Sequence, residues 1–371
     1  MKHPLALLAL STLLLAACKG TGNTDTIKLG LLQPLTGDAA AIGQDILHGA
    51  EWAVEEMNAK GGVNGKMVKL FAEDGKCTGS EAANGAQKLV NVDRVVAIVG
   101  GGCSGETLAA APIIETAKVV LLSPASSSPD VTNAGDFVFR NYPSDALKTD
   151  AMAKYFKEKG YKNIVIISEN TDFSQAFRTS LKEKLPTSAV AFDEIVEPGT
   201  KDFRSLITRL KNLKFDVFFA NPNSDAVVAV MIQQFREAGF AQEAISHDVA
   251  ESLTVPEIAG KAAEGFKFIN VPTAGEGSDF EGTAKERFGA PQASITWVSY
   301  GYDATNILLQ AMANVGTDGT AIRDYLYKLP EYKGIVGTIH FDKNGDVVGI
   351  PYALKTFQDG KIVKVKDIPL E

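Results

Sequence analysis

Two loops rich in glycine and serine carry the groups best suited to bind a small solute. The first, GGGCSGE, covers residues 100–106, and the second, SPASSSP, covers residues 123–129. Each follows an apolar run, so both would lie beyond the carboxyl ends of parallel strands, where backbone N–H groups at helix starts point outward. The hydroxyls of Ser104, Ser126 and Ser127 add hydrogen-bond donors, and the loops bring little positive side-chain charge. This combination suits a small carboxylate better than a polyphosphate.

Two other interpretations of the glycine loop remain open. Gly100-x-Gly102-x-x-Gly105 matches the fingerprint of dinucleotide-binding loops, and it stands between a predicted strand and a predicted helix, as that fingerprint requires. However, the next strand, VVLLSP, ends in serines where a ribose-binding acid is expected, and the loop lacks the lysine of nucleotidase-type phosphate loops. The glycines could also serve only a tight turn and close helix packing, without any ligand.

The elements that position these loops alternate along the first part of the chain. We predict strands at IKLGLLQ, KMVKLFAED, VVAIVG and VVLLSP, and helices at residues 44–62, 80–90 and 106–117. The first helix shows apolar residues at helical spacing, namely Ile46, Ala50, Ala53, Val54 and Met57, and Gly61 ends it. The β-α-β order predicts a parallel sheet with helices on both faces.

The same alternation then restarts and predicts a second lobe. Its strands are NIVIISE, AVAFDEIVEP, FDVFFAN and GFKFINVP, separated by helices at residues 174–185, 202–213 and 224–238. The chain ends with helices at residues 297–315 and 321–328, followed by GTIHFDKNGD and two strand-like runs, PYALKTFQ and KIVKVKD. Asn344-Gly345 and Asp359-Gly360 supply turn signals there. The predicted fold class is α/β, with two doubly wound parallel-sheet lobes.

Composition narrows the class of protein. The 371 residues are 45% hydrophobic and 22% charged, as in folded soluble proteins, and exceed the usual size of a single core. Because 45 acidic residues oppose 37 basic ones, for a net charge of −8, nucleic acid is not an expected partner. We find no metal-ligand cluster with recognisable spacing and predict neither a metal nor a cofactor.

The start of the chain indicates export. Residues 1–19 read MKHPLALLALSTLLLAACK, with a basic start, an apolar run and small residues before a cysteine, which is typical of a signal peptide. The ending LAAC resembles the lipobox of bacterial lipoproteins, so we expect a signal peptide at residues 1–18 and acylation of Cys18. An ordinary secretory peptide cut near Ala17 is the alternative. Residues 19–25 are predicted to form a flexible tether.

Cys77 and Cys103 are the two other cysteines. In an exported protein a disulfide between them is the natural hypothesis. Two inert buried thiols, or one reactive cysteine, remain alternatives.

The mature chain resembles the branched-chain amino-acid-binding proteins of bacterial ABC importers. Its most specific segments are GAEWAVEEMNAKGGVNGKMVKL, EPGTKDFRSLITRLK, EIAGKAAEGF and FDKNGD. The resemblance implies a type I periplasmic binding protein fold, with two lobes joined by a hinge. The expected lobes are residues 26–143 plus 273–349 and residues 144–272 plus 350–371. It also implies a disulfide between Cys77 and Cys103.

The resemblance assigns roles at the ligand site. Ser104 and Ser127 would hold the α-carboxylate of an amino acid through hydroxyls and backbone amides. The carbonyl of Ala125, the hydroxyl of Ser127 and the carboxylate of Asp248 would receive the ammonium group. Asp248 is one methylene shorter than the glutamate common in the family. The other residues of the predicted site are Ile42, Gly102, Cys103, Ser126, Phe173 and Asn223.

Three of these positions depart from a common tyrosine of the family. Phe173 would close over the ligand, while Ile42 and Asn223 would alter the side-chain pocket, and Asn223 beside His247 could admit a polar ligand. Plainer roles exist: Ser127 as a turn former, Phe173 as a core residue and Asp248 as a surface acid.

The resemblance predicts a binding protein without enzymatic activity. It would capture a free amino acid, branched-chain or otherwise small and mainly apolar, by hinge closure. We expect a monomer that delivers the amino acid to an ABC permease and contacts the periplasmic or cell-surface membrane only through its lipid anchor. A ligand-sensing module for amino acids or small amides is one alternative. The other is a hydrolase with Cys103 or Ser104 as nucleophile, which needs a base such as His48, His247 or His340.

Overall fold

The structure, a computed structural model, describes residues 26–275 and 278–369, so the predicted signal peptide, Cys18 and the tether lie outside the described residues. The first part of the chain alternates strands and helices. It forms β1 (Ile27–Gln33), α1 (Ala40–Ala59), β2 (Val68–Asp74), α2 (Gly79–Gln87), β3 (Ala97–Gly100), α3 (Ser104–Ala117), β4 (Val120–Ser123) and β5 (Val138–Arg140). A π-helical segment, Lys88–Asp93, extends α2.

The middle of the chain repeats this alternation. Its elements are α4 (Asp145–Lys159), β6 (Ile164–Glu169), α5 (Asp172–Lys184), β7 (Val190–Val196), α6 (Arg204–Arg209), β8 (Val217–Asn221), α7 (Asp225–Glu237), β9 (Glu243–Ser246), α8 (Thr254–Ala259) and β10 (Lys267–Asn270). Every residue of β6 is buried, because helices cover both faces of the sheet.

The last part adds three helices and two hairpins. It contains α9 (Asp279–Phe288), α10 (Ile295–Val315), α11 (Gly319–Tyr327), β11 (Tyr332–Gly334), β12 (Gly337–Ile339), β13 (Tyr352–Gln358) and β14 (Lys361–Ile368). The β13–β14 hairpin turns at the predicted Asp359-Gly360.

The strands assemble into two main sheets. The first has the order β2-β1-β3-β4-β5 and is parallel throughout. The second has the order β14-β13-β10-β9-β8-β6-β7, in which β13 and β14 are antiparallel to their neighbours and the other pairs are parallel. The prediction of an α/β protein with two doubly wound sheets is confirmed, and the second sheet additionally carries this antiparallel edge.

Each sheet has its own hydrophobic core. One core gathers apolar residues of β1–β5, α3, α10 and α11, and we call this part the first lobe. The other gathers residues of α4, α5, α7 and β6–β10, and we call it the second lobe. The chain passes between the lobes three times: between Arg140 and Asp145, after Asn270, and between Val347 and Tyr352.

The structure contains elements that the sequence patterns did not predict, namely β5, α4, β9, α8, α9 and β11. Elsewhere the predicted elements are present with shifted ends; α1, for example, begins at Ala40 rather than residue 44. Within the described ranges, no helix combines the length and apolar character needed to cross a bilayer.

Candidate ligand-binding cleft

The glycine loop is shaped by close packing at the end of β3. A Cβ atom on Gly101 would lie 2.6 Å from the Cβ of Glu106, and one on Gly102 would lie 2.4 Å from Oε1 of Gln33. Side chains larger than hydrogen are therefore excluded at both positions. The loop turns tightly into α3, so the amino end of this helix faces the cleft between the lobes.

Glu106 organises the start of α3. Its carboxylate accepts hydrogen bonds from the backbone N–H groups of Cys77 (2.9 Å) and Cys103 (3.0 Å). Burial raises the pKa of Glu106 to about 7, although these N–H groups act in the opposite direction. Cys77 and Cys103 themselves form a disulfide, with their Cα atoms 5.3 Å apart. The loop after β2 is thus fixed to the first turn of α3.

The serine loop after β4 packs directly against the glycine loop. The hydroxyls of Ser123 and Ser126 donate to the carbonyl of Gly101, at 2.7 and 2.9 Å. The backbone N–H of Ser128 donates to the hydroxyl of Ser104, at 3.1 Å. The two loops therefore lie together at the carboxyl ends of β3 and β4, as the sequence predicts.

Arg140 supports the serine loop through hydrogen bonds to two of its carbonyl groups. Its guanidinium donates to the carbonyls of Ser126 (3.3 Å) and Ser128 (2.8 Å) and forms a two-point ion pair with Asp346 at 2.6 and 2.8 Å. Arg140 is completely buried. Asp346 belongs to the FDKNGD segment, so this motif supports the loop without lying in the cleft.

The second lobe forms the opposite wall of the cleft, with three residues that follow the ends of its strands. Phe173 follows β6 at the start of α5, Asn223 follows β8, and Asp248 follows β9. Ligands of doubly wound sheets bind at the carboxyl ends of strands, and both lobes present those ends to the same space.

A cavity lies between the two walls, and we call it the cleft cavity. About 30 Å³ of it is open to the centre of a water molecule. Eight residues of the predicted site line it: Ile42, Gly102, Cys103, Ser104, Ala125, Phe173, Asn223 and Asp248.

Ser126 and Ser127 do not line the cleft cavity. The hydroxyl of Ser126 bonds to Gly101 and Thr107, and that of Ser127 donates to Oδ2 of Asp145, at 2.9 Å. However, the backbone N–H groups of Ser104 and Ser127 have no acceptor among the described residues. These amides, rather than the Ser127 hydroxyl, remain available at the loops.

Asp248 belongs to a set of buried charges. Its Oδ1 lies 2.7 Å from Nζ of Lys148, which also contacts Oδ1 of Asp145 at 2.6 Å. Burial alone would raise the pKa of Asp248, but Lys148 and His247 outweigh it and hold this pKa well below its usual range. One lysine faces two carboxylates, so the formal charges of the three side chains sum to one negative charge, while burial raises the pKa of Asp145. Oδ2 of Asp248 has no partner among the described residues.

His247 lies behind Asp248 rather than in the cleft cavity. Its Nδ1 lies 3.1 Å from Oδ1 of Asp248 and its Nε2 lies 3.0 Å from Oδ1 of Asn221. It is completely buried, with its ring centroid 4.9 Å from that of Phe173. Both ring nitrogens therefore have partners away from Ser104, and the Cys103 sulfur is in the disulfide.

The sequence patterns missed several residues of the site. Pro34, Ala39, Val249 and Trp297 also line the cleft cavity. Pro34 directly follows the predicted β1, so the strand-end rule could have indicated it, whereas Val249 follows the unpredicted β9. Trp297 lies in the first turn of α10, and no local signal marks it. Across residues 26–275 and 278–369, no three His, Cys, Asp or Glu side chains are grouped to hold a metal ion.

Comparison with known proteins places the chain in a family. Residues 26–361 match the family model described as periplasmic binding protein. A Leu/Ile/Val-binding protein of Citrobacter freundii is 27% identical over 336 residues, which cover 88% of this chain and 90% of the relative. A leucine-, isoleucine-, valine-, threonine- and alanine-binding protein of Pseudomonas aeruginosa is 27% identical, with 89% of each chain covered.

Solved structures agree with this assignment. A leucine-binding protein of Thermotoga maritima superposes with a TM-score of 0.84 at 28% identity, over 92% of this chain and 99% of the other. A branched-chain amino acid transporter substrate-binding protein of Streptococcus pneumoniae, in complex with isoleucine, gives a TM-score of 0.83 at 26% identity, over 91% and 99%. The resemblance predicted from the sequence is confirmed: the chain belongs to the periplasmic binding protein family and has its type I fold.

Proposed function

We propose that this protein captures a free amino acid between its two lobes and delivers it to the permease of an ABC importer. The ligand would be a branched-chain or other small amino acid with a mainly apolar side chain. The relatives support this class, because they are named for binding leucine, isoleucine and valine, and one is named as part of a branched-chain amino acid transporter.

The arrangement of charge in the cleft cavity carries the proposal. On the first lobe, the backbone N–H of Ser104 at the amino end of α3 favours a carboxylate, and the N–H of Ser127 lies in the adjoining serine loop, outside the cavity wall. On the second lobe, Oδ2 of Asp248 has no partner among the described residues and belongs to a group with net negative charge, which favours an ammonium. An α-amino acid carries both groups on one carbon, so it can bind both walls and hold the lobes closed.

The hydrophobic contribution to binding would be modest. Burying a leucine-like side chain contributes about 1.5–3 kcal/mol. The Phe173 ring and Ile42 would contact it, and both lie in the cavity wall. The charged groups would therefore give most of the affinity, while a few wall residues would decide which side chain is preferred.

Delivery would take place at a membrane. We propose that Cys18, outside the described residues, carries the lipid that anchors an exported monomer on the periplasmic or cell-surface side. The closed form would then bind the permease, and no catalytic step is required.

A ligand screen on the purified, non-acylated mature protein tests the proposal. A ligand that binds only the folded state stabilises it by about 2.7 kcal/mol at a hundredfold excess over Kd. We expect at least one branched-chain or other small amino acid to raise the Tm and to give a saturable calorimetric titration. If none of the common amino acids does either, the proposed function is wrong.

A further inference from the structure

A second space adjoins the cleft cavity, and we call it the outer compartment. Polar and charged residues line it, among them Asp38, Lys76, Thr78, Glu169, Thr171 and Ser224. About 240 Å³ of it is open to the centre of a water molecule, against about 30 Å³ for the cleft cavity.

Only a thin partition separates the two spaces. Ala39 and Asn223 line both of them, and the disulfide has Cys103 in one wall and Cys77 in the other. Ala39 has a one-carbon side chain, so the side chain of Asn223 is the larger removable part of this partition.

The side chain of Asn223 is held weakly. Its backbone N–H donates to Oε2 of Glu169 at 2.6 Å, which fixes the main chain. Its Nδ2 donates to Sγ of Cys77 at 3.0 Å, and sulfur is a weak acceptor. Its Oδ1 has no partner among the described residues. Rotation of this side chain therefore gives up one weak hydrogen bond, while the main chain stays in place.

The size of the cleft cavity makes such a rotation relevant. A buried water needs about 10–15 Å³ measured in this way, so the cleft cavity holds two or three water-sized groups. The ammonium, α-carbon and carboxylate of an amino acid already amount to five heavy atoms, so any side chain beyond them must displace part of the wall. The outer compartment beyond Asn223 is the larger adjacent space.

The chemistry of the outer compartment selects among side chains. Its formal charges have protein partners: Asp38 lies 3.4 Å from Lys201, Lys76 lies 3.7 Å from Glu81, and Glu169 accepts backbone bonds from Gly199 and Asn223. The hydroxyls of Thr171 and Ser224 accept backbone N–H bonds at helix starts, so each keeps its O–H to donate. Two O–H donors and the Oδ1 acceptor of Asn223 match a neutral carboxamide.

We propose that Asn223 is a specificity-determining residue that joins the cleft cavity to the outer compartment and admits an amino acid with a carboxamide-ended side chain, such as glutamine. The proposal rests on the proposed function, because the α-carboxylate and ammonium of the ligand stay at Ser104 and Asp248. The side chain passes Ala39 and Asn223 and ends between Thr171 and Ser224. A carboxylate end is disfavoured, since Glu169 and Asp38 already face this space and Lys76 is paired with Glu81.

Calorimetry on the purified mature protein with glutamine, glutamate and valine tests the proposal. We expect glutamine to bind at least about tenfold more tightly than glutamate, which has the same shape but a charged end. Asn223→Leu should weaken glutamine about tenfold or more, because the amide loses its acceptor, and should leave valine within about threefold. Asn91→Leu, the same change on an exposed residue outside the cleft, should alter neither ligand.

The outcomes separate this proposal from the function on which it rests. Binding of valine without measurable binding of glutamine overturns the role of Asn223 and leaves the proposed function intact. Equal glutamine affinity in the native protein and Asn223→Leu also overturns that role. If no amino acid binds the native protein, both proposals fail. If Asn223→Leu does not fold, the ratio of glutamine affinity to glutamate affinity in the native protein still tests the proposal.

Discussion

At the scale of single residues, Asp248 acts within a group of charges. Lys148 lies between Asp145 and Asp248, and all three side chains are almost completely shielded from solvent. Asp145 in turn accepts the Ser127 hydroxyl and donates its backbone N–H to the Ser127 carbonyl, at 2.9 and 2.7 Å. The serine loop and the acid on the opposite wall are thus joined through Lys148, although Lys148 does not line the cleft cavity.

Replacing the cleft acid tests its contact with the ammonium. Asp248→Asn keeps the shape of the side chain and removes its negative charge. We expect the affinity for the amino acid found in the ligand screen to fall about a hundredfold or more, because an unpaired buried ammonium costs about 3–5 kcal/mol. Asp202→Asn, at an exposed residue paired with Arg204, is the control. Calorimetric affinities within threefold of each other would remove Asp248 from the site.

Replacing the lysine tests the charge balance of the same group. Lys148→Met leaves Asp145 and Asp248 buried without their cation, so we expect the free energy of unfolding to fall by about 3–5 kcal/mol at pH 7. Without Lys148, protonation of Asp145 or Asp248 stabilises the folded state, because it removes a buried charge that has lost its cation. The loss should therefore become smaller as the pH falls towards 4.5.

Denaturant titrations at the two pH values measure the effect of Lys148. Lys159→Met, on an exposed residue of the same helix, should change the free energy of unfolding by less than about 1 kcal/mol. A loss that is the same at both pH values would show that packing, not charge, is the role of Lys148.

At the scale of elements, the start of α3 joins ligand-facing amides to a buried acid. Glu106 bonds the N–H groups of Cys77 and Cys103, and this contact keeps the disulfide loop against the helix. Because burial raises the pKa of Glu106 from its usual 4.5 to about 7, its protonated form is favoured in the folded state. The position of the loop is thereby linked to pH.

This linkage predicts a pH dependence of stability. Between pH 4.5 and 7 the folded state retains the Glu106 proton while the unfolded state releases it, so this contribution to stability is lost as pH rises. The difference between 4.5 and about 7 corresponds to about 3 kcal/mol. The unfolding free energy of Glu106→Gln relative to that of the native protein should therefore increase by up to this amount as the pH rises from 4 to 8. Parallel curves of unfolding free energy against pH would contradict the prediction.

The elements that the sequence predicts best are those whose buried side chains are mainly apolar. β6, IVIISE, is buried along its whole length, and its run of branched residues marks it clearly. By contrast, α4 buries Asp145, Lys148 and Thr149 on its inner face, so its apolar spacing is interrupted. β5 and β9 have only 3 and 4 residues, too few for a period to be visible.

The same distinction applies to the cleft. Asp248 follows the unpredicted β9, so only the family resemblance indicates it. Ser104 lies in the loop after the predicted β3 and could be placed from the sequence, because strand ends meet at one edge of a sheet. Lys148 could not, since it lies on an unpredicted helix and reaches Asp248 only through the packing of α4 in the second lobe. Trp297 likewise reaches the cleft cavity from a distant helix.

At the scale of the whole molecule, Glu251 connects the lobes behind the cleft. It follows β9 in the second lobe, and its carboxylate accepts hydrogen bonds from Ser294 and Thr296 at the start of α10, at 3.2 and 2.7 Å. Lys355 of β13 pairs with it at 2.5 Å, and both side chains are completely buried. Glu251 and Lys355 both belong to the second lobe, so the contacts of Glu251 that cross to the first lobe are the hydrogen bonds from Ser294 and Thr296.

Removing the cation of this pair tests how much the buried ion pair on Glu251 contributes to stability. Lys355→Met leaves the Glu251 carboxylate buried without its ion-pair partner, so we expect the free energy of unfolding to fall by about 3–5 kcal/mol. Glu251→Gln combined with Lys355→Met removes both charges and should recover a large part of the loss. Lys364→Met breaks an exposed pair with Asp367 on the neighbouring strand and should cost less than about 1 kcal/mol. Denaturant unfolding of the native protein and the three variants measures these free energies. Equal losses for Lys355→Met and Lys364→Met would mean that the buried pair contributes no more to stability than the exposed one.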